Sequence, residues 1–470
     1  MVNRKIVFYE LNEVPYRIFD HFADLLPNSC FSKLKRSARR YETYAEDSGH
    51  LSPWITWPTL HRGVINDDHT ISDFGMDLTH VDKEYPPLWN ILSSSGVKVG
   101  VFGSLHSYPV PQNVHDYAFY VPDTFAAGAE CFPKRYEAFQ NFNLTMAGLN
   151  GQQVNRSIAL KEAGDFLVAA PGLGLRGRTA VKLAKQLIAE RVVPERSVRR
   201  RTSQVQIAFD FYLKALIQRE PDISFFFTNH VASSMHRYWP ALFPDDYTDL
   251  VFDQPWIKTW SDEIPFVMQE AEEQISSLIQ YVEGNPDNLL VIATSMGQAA
   301  VEGRERVDRT VILSNLARLM SGLDIAPDEW EKRPAMVPQV NIAISESKKS
   351  QFLQNIGDLF INGKSIDVLN LGSNVLRMEF CLVNQRIESV DYKGKSVDPA
   401  KFGISCIEMM DAAGANAYHI PQGMLMVYDP KSPEASFGDI RKISTREVAP
   451  SILRNFDVAT PGYMEAALNI

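Results

Sequence analysis

Five short, unbroken apolar runs constrain this chain most: Lys5–Leu11, Val97–Gly103, Ile223–Thr228, Leu289–Thr294 and Met424–Tyr428. A strand with one wet face alternates apolar and polar residues. Continuous runs of this length fit strands covered on both faces, as in a mostly parallel sheet between helices. Helical patterns lie between them, over Pro87–Ser95, Arg201–Arg219 and Pro265–Glu283. The alternation predicts an α/β fold, a mostly parallel central sheet flanked by helices. Chemistry in such sheets gathers at the carboxyl ends of the strands. The residues there are Glu10 and Asn12, Ser104 to His106, Asn229 and His230, and Ser295 and Met296.

Two segments break the rhythm. Residues 130–220 read as a helical cap inserted over the site. They carry the run Arg196, Arg199, Arg200 and Arg201, which is either a solvated face or an anion trap. Residues 345–400 hold Ile361-Asn362-Gly363-Lys364 and Tyr392-Lys393-Gly394-Lys395, turn signals between short strands. A small β-rich subdomain is expected there. Residues 1–129, 221–344 and 401–470 are left for the α/β core.

Composition excludes several classes. There are 47 basic and 57 acidic residues, a net charge of −10, which argues against a general nucleic-acid binder. Cys30, Cys131, Cys381 and Cys406 lie far apart with no CxxC, so neither a zinc knuckle nor a disulfide framework is expected. The first apolar run is too short for a signal peptide, and no run reaches the roughly 18 apolar residues that span a membrane. A cytoplasmic protein without a membrane span is the expectation. The turn after the first strand lacks GxGxxG, which sets a dinucleotide-binding oxidoreductase aside.

Thr56-Trp57-Pro58-Thr59-Leu60-His61-Arg62-Gly63 is the stretch richest in chemistry. Proline favours the first turn of a helix, which places Thr56 at or beside a helix N-terminus, where free N–H groups attract anions. A threonine there caps the helix, or it attacks phosphorus or sulfur. Arg62, one turn on, can pair with a phosphate through two N–H groups. His230 directly follows a strand and can act as an acid or base near neutral pH. His106 also follows a strand and can line a pocket. His236, beside Tyr238 and Trp239, and His419, in His419-Ile420-Pro421-Gln422-Gly423, are either packed histidines or metal ligands.

In this order the motifs resemble the alkaline phosphatase superfamily, in its branch of type I phosphodiesterases and nucleotide pyrophosphatases. Thr56-Trp57-Pro58 resembles that branch's nucleophile motif. Gly96-Val97-Lys98-Val99-Gly100-Val101 resembles the strand after it. Met235-His236-Arg237-Tyr238-Trp239 resembles its second motif, and His419-Ile420-Pro421-Gln422-Gly423 its late His-x-x-x-Gly. The resemblance runs from residue 5 to about residue 430. It implies a hydrolase or transferase acting on a phosphate or sulfate ester, a phosphodiester foremost. It further implies Thr56 as a transiently esterified nucleophile and His236 and His419 as ligands of one metal. In that family two zinc ions about 4 Å apart clamp the attacking and leaving oxygens.

The departures from the family pattern concern charge. Asn12 stands where the first aspartate is expected, though Glu10 or Glu13 can substitute from a shifted position. Ala232 replaces the aspartate before His236, with Asn229 and His230 the nearest polar residues. Ser295-Met296-Gly297 replaces Asp-His-Gly, and a thioether is a poor ligand for zinc or magnesium. Two divalent ions held without those carboxylates would be left un-neutralised. One zinc or manganese ion at most is therefore expected. The candidate set is Thr56, His230, Arg62 and Arg237 for catalysis, and His236, His419, Glu10 and Asn12 for a metal. Two alternatives stay open: a metal-free site holding an anion through Arg62, Arg237 and helix N–H groups, and a catalytically inactive scaffold binding an anionic ligand or a protein partner. The substrate would be a small anionic ester: a phosphodiester, a nucleotide-sugar, or, by analogy with bacterial surface-polysaccharide metabolism, a polysaccharide-related compound.

Overall fold

The first strand, Lys5–Leu11, shows how side-chain alternation builds the molecule. Val7, Tyr9 and Leu11 enter one hydrophobic core, and Ile6 and Phe8 enter a second on the opposite face. A period of two leaves no face for water, which is why the run is apolar throughout. This strand lies between Ile223–Thr228 and Asn288–Ala293, parallel to both, with Tyr9 opposite Phe226 on one side and Ile292 on the other.

The computed structural model describes residues 4–73, 76–149, 160–333, 335, 339–372, 374–380, 382–433, 440–465 and 467–468. Its eight-stranded sheet runs in the order Arg441–Ser444, Arg39–Tyr44, Gln422–Tyr428, Asn288–Ala293, Lys5–Leu11, Ile223–Thr228, Val99–Phe102 and Phe119–Val121. Only Gln422–Tyr428 is reversed; it pairs antiparallel with both of its neighbours. All five apolar runs are strands of this sheet, and the three helical patterns appear as Leu88–Ser94, Arg200–Arg219 and Glu263–Gly284. The fold is α/β, with a mostly parallel central sheet between helical layers.

The first core packs Arg200–Arg219 and Glu263–Gly284 on the sheet. The second packs Pro53–Arg62, Leu88–Ser94 and Val448–Asn455 on the other face. Residues 130–220 are largely helical, but Arg200–Arg219 is a layer of the sandwich. Its Tyr212 stacks on Phe226 and its hydroxyl meets Ser224 Oγ at 2.9 Å. Arg199 and Arg200, two of the run's four arginines, are neither a bare surface nor a free anion trap. Arg199 grips Glu263 at 2.7–3.0 Å and Arg200 pairs with Glu190.

A third core draws side chains from Val311 to Ile404, so that packed unit begins well before residue 345. Its two marked turns are hairpins. Asn362 and Gly363 (φ 50° and 76°) join Leu359–Ile361 to Lys364–Ser365, and Lys393 and Gly394 (φ 50° and 73°) join Val390–Tyr392 to Lys395–Ser396. Two successive positive φ values match the twist of an antiparallel pair. Cys30, Cys131 and Cys406 are free thiols; Cys381 lies outside the described residues. Among the described residues no helix is long and apolar enough to cross a membrane.

Candidate metal centre

The first strand ends at Leu11, and the Asn12 N–H adds one more sheet bond, to the Thr228 carbonyl at 3.0 Å. Glu13 then turns the chain with φ 61°. A non-glycine residue in the left-handed region costs about 1–2 kcal/mol, and such strain persists where the surroundings enforce it. Here it swings a carboxylate that is only 2% exposed between two histidines.

Those histidines arrive on neighbouring segments. His236 lies in the helix His230–Leu242, which follows the strand Ile223–Thr228. His419 lies on the short strand Ala417–Ile420, which pairs antiparallel with Gly297–Ala300 just after Asn288–Ala293. His236 Nε2 is 3.0 Å and His419 Nε2 3.4 Å from the same oxygen, Glu13 Oε2. The two rings lie 5.3 Å apart, centre to centre.

The far side of each ring fixes its tautomer. His236 Nδ1 donates to the Ala417 carbonyl and His419 Nδ1 to the Leu51 carbonyl, both at 2.7 Å. A carbonyl accepts only, so both Nδ1 atoms carry hydrogen. Each neutral ring then aims an Nε2 lone pair at a carboxylate oxygen. That arrangement repels unless a positive charge, either protons or a metal ion, lies between the three atoms. A backbone carbonyl behind a ligating imidazole is the usual support at metal sites. With protons there, burial alone would raise the Glu13 carboxyl, but His419 and His236 hold it well below the usual carboxylate range. Burial likewise disfavours the charged His419, yet Glu13 raises it above an ordinary imidazole.

The donor set fits a divalent ion. Tetrahedral zinc with bonds of about 2.0–2.1 Å sets its ligand atoms about 3.3 Å apart, close to the 3.0 and 3.4 Å found here. Two histidines and one glutamate is a ligand set of catalytic zinc sites that keep a fourth position open. His236 is the more accessible, its side chain 24% exposed against 8% for His419. Gln298 steadies the carboxylate by donating its amide N–H to Glu13 Oε2. Its own carbonyl oxygen is buried without a partner among the described residues.

Asn12 lies beside this cluster with both ends of its amide hydrogen-bonded. Its Nδ2 donates to Glu13 Oε1 and Asn229 Oδ1, both at 2.7 Å, and its Oδ1 accepts from Trp57 Nε1 at 2.8 Å. It orients the glutamate, and its Oδ1 is engaged by the Trp57 indole.

Glu10 is not brought to the histidines, because alternation points it with Ile6 and Phe8 into the second core. There its Oε1 meets His61 Nε2 at 2.5 Å and its Oε2 accepts from Ser104 Oγ at 2.6 Å. His61 is stacked on Trp57 and edge-on to Trp89.

Thr56 does not stand at the helix N-terminus expected for it. The helix opens at Pro53, capped by Ser52, and Pro58 is interior. The first helical residue has no N–H. The amides of Trp54, Ile55 and Thr56 all bond to Ser52, at 3.4, 2.9 and 2.9 Å, so no backbone donor of this turn is left for an anion. The Thr56 hydroxyl is 0% exposed and bonds to the Ser52 carbonyl at 3.2 Å and Ser295 Oγ at 2.7 Å. Ser52, which accepts from it, is the chain neighbour of Leu51, whose carbonyl accepts from His419 Nδ1. Met296 is fully buried.

The other three catalytic candidates are also committed elsewhere. Arg62 is buried, with Asp82 at 2.7 Å and the Tyr85 carbonyl as partners. Arg237 holds Asp411 at 3.2 Å and the Ala413 carbonyl at 3.2 Å. His230 is buried with Nδ1 on the Thr228 hydroxyl, and burial pulls its pKa down to about 4, opposed in part by the Val267 backbone. His106 bonds to the Trp54 carbonyl at 2.8 Å, and burial pulls its pKa down to about 3. Sequence reasoning offered Glu13 only as a substitute and overlooked Gln298. The left-handed turn that aims Glu13 has no sequence mark, since glutamate rarely adopts it.

Comparison with solved structures finds similarity at low identity. Murine ectonucleotide pyrophosphatase/phosphodiesterase 5 matches with a TM-score of 0.41 and 10% identity over 98% of each chain. An inactive variant of the murine protein in complex with AMP matches with a TM-score of 0.39 and 10% identity, over 98% of this chain and 97% of that one. The human protein gives 0.40 and 9% over the same shares. No family model matches the chain, and no curated protein does.

Proposed function

We propose that the protein is a hydrolase of phosphate or sulfate esters, phosphodiesters foremost, working at a single divalent ion held by Glu13, His236 and His419. One observation carries the reading: two imidazoles, each with Nδ1–H spent on a carbonyl, aim bare Nε2 atoms at one carboxylate oxygen. Zinc or manganese suits that donor set. Such an ion would polarise the ester and lower the pKa of an attacking water.

The chain's own residues have defined parts in this reading. Glu13 supplies the negative charge that holds the ion, and Asn12 and Gln298 keep its carboxylate from rotating. The carbonyls of Ala417 and Leu51 fix both imidazoles in the ligating tautomer. Thr56 is not the nucleophile here. Its hydroxyl neighbours are a carbonyl and another hydroxyl, and neither is a base. Water is the acceptor, so the reaction is hydrolysis.

The test is a panel of aryl phosphodiesters, phosphomonoesters and sulfates with zinc, manganese or magnesium added. Diester turnover is expected. It should vanish in Glu13→Gln, His236→Ala and His419→Ala, and survive within about tenfold in Thr56→Ala. No turnover by the intact protein with any ion sinks the proposal. The second reading, a catalytically inactive scaffold, is favoured by the shielding of Thr56 and by the engagement of Arg62 and Arg237 with carboxylates, which leaves neither arginine for an anionic substrate.

A further inference from the structure

The helix Gly177–Val192 has its amphipathic faces reversed. A surface helix ordinarily turns its apolar stripe to the core and its charges to water. Here the side that meets the protein is polar. Lys182 holds Glu270 and Glu273, both at 2.7 Å, Gln186 donates to the Arg196 carbonyl at 2.6 Å, and Glu190 accepts from Arg200 at 2.8 Å. Steps of four residues put 182, 186 and 190 on one face. Of the helix's apolar side chains, Leu183 reaches the first core.

The remaining apolar residues look outward. Val181, Ile188 and Val192 are 53%, 65% and 77% exposed. Spaced i, i+7 and i+11, they form one stripe along the outer face. Ala184 and Leu187, both exposed, widen it. By the same geometry Arg178 and Lys185 run along one flank of the stripe and Arg191 along the other. All three are exposed. Among the described residues none of them forms an ion pair; Arg178 reaches only the Ser277 hydroxyl, at 3.4 Å. The helix's single acid, Glu190, is spent inward on Arg200.

An aliphatic stripe edged by cations, with no anion on its face, is complementary to an anionic bilayer. Acyl chains take the stripe, and the long basic side chains reach up to the phosphates. A protein partner fits less well. Interface hot spots are rich in aromatic residues seated in pockets, whereas this helix has no aromatic residue and its outer face is a convex ridge. A second copy fits worst, because a two-fold pairing brings the cations of one copy onto those of the other.

We infer that the helix Gly177–Val192 docks the protein on an anionic lipid surface, with Val181, Ile188 and Val192 among the acyl chains and Arg178, Lys185 and Arg191 on the phosphates. None of these residues belongs to the metal centre, so the inference stands apart from the ester reading. With a net charge of −10 the rest of the molecule is repelled by such a surface. Binding therefore depends on this face and weakens as salt screens it.

The test is flotation of the full chain with vesicles of phosphatidylserine and phosphatidylcholine in equal parts, and with vesicles of phosphatidylcholine alone. The mixed vesicles should bind at least tenfold tighter, and added salt should reduce that preference. Ile188→Glu with Val192→Glu, and separately Lys185→Glu with Arg191→Glu, should each weaken binding at least tenfold with thermal melts unchanged. Leu369→Glu, at an exposed apolar position elsewhere, should bind as the parent does. No binding to the mixed vesicles, equal binding to both kinds, parent-level binding by either double variant, or an equal loss in Leu369→Glu overturns the inference. So does a concentration-dependent dimer, abolished by the Ile188 and Val192 substitutions, in a protein that ignores vesicles; that result assigns the face to self-association.

Discussion

His236 Nε2 lies 3.0 Å from Glu13 Oε2 while His236 Nδ1 donates to the Ala417 carbonyl. One ring thus joins the turn after the first strand to the strand Ala417–Ile420. Elemental analysis of protein purified with added zinc should find one ion per chain. Glu13→Gln, His236→Ala and His419→Ala should each lower occupancy at least tenfold. Glu10→Gln, whose carboxylate lies in the other core, should leave it unchanged. Equal zinc loss in Glu10→Gln would refute the geometry.

The buried Glu10–His61 pair has a different role, in stability. Both side chains are within 1% of full burial. Removing one partner of a buried pair strands the other and costs about 3–5 kcal/mol. His61→Ala should therefore shift the denaturant midpoint by that amount while the folded fraction keeps its zinc. A shift under about 1 kcal/mol would show that the pair is not needed.

Much of this was legible, and the failures have specific causes. The strands read correctly because burial on both faces demands unbroken apolar runs. His236 and His419 came from their motifs, Met235-His236-Arg237-Tyr238-Trp239 and His419-Ile420-Pro421-Gln422-Gly423, and not from the strand ends. Glu10 misled because a charged residue at a strand's end looks site-facing, whereas alternation sends it inward to His61. Arg62 misled because its partner, Asp82, lies in a polar stretch with no pattern to connect them. Thr56 misled because two prolines, Pro53 and Pro58, compete to start one helix; Ser52 decides for the first by capping it.

Acid should unfold the protein through histidines kept neutral. Burial, with Arg62 and His106 adding to it, pulls His69 down to about 3; burial also pulls His106 to about 3 and His230 to about 4. The Ile71 N–H donates to His69 Nδ1 at 3.0 Å, so that ring is a neutral Nε2–H tautomer facing Thr59. The unfolded chain binds these protons below about pH 6.5 and the folded chain does not, so stability falls as pH drops from 6.5 toward 4. The loss is up to about 2 kcal/mol per histidine at pH 5. Asp123, raised by burial to about 6, acts oppositely between about pH 4 and 6, as do Asp47 and Glu263, whose carboxyls burial also raises, but the three histidines carry the larger shifts. Urea midpoints at pH 7 and pH 5 check this; a higher midpoint at pH 5 would contradict it.

Asn12→Asp would place a second carboxylate beside Glu13. It would also remove the Nδ2 donor that Glu13 Oε1 and Asn229 share and set two like charges side by side. The metal-free variant should lose about 1–3 kcal/mol, and zinc should recover more stability in it than in the parent. Thermal melts with and without zinc measure both. Equal zinc effects in variant and parent would mean that the added charge is not felt at the centre.

The reversed strand Gln422–Tyr428 follows directly on the segment that carries His419. A growing polypeptide has Glu13 and His236 long before that last ligand is synthesised. Ion capture therefore has to wait until the late segment docks against strands made much earlier, and a loaded centre reports that early and late segments of the chain have come together.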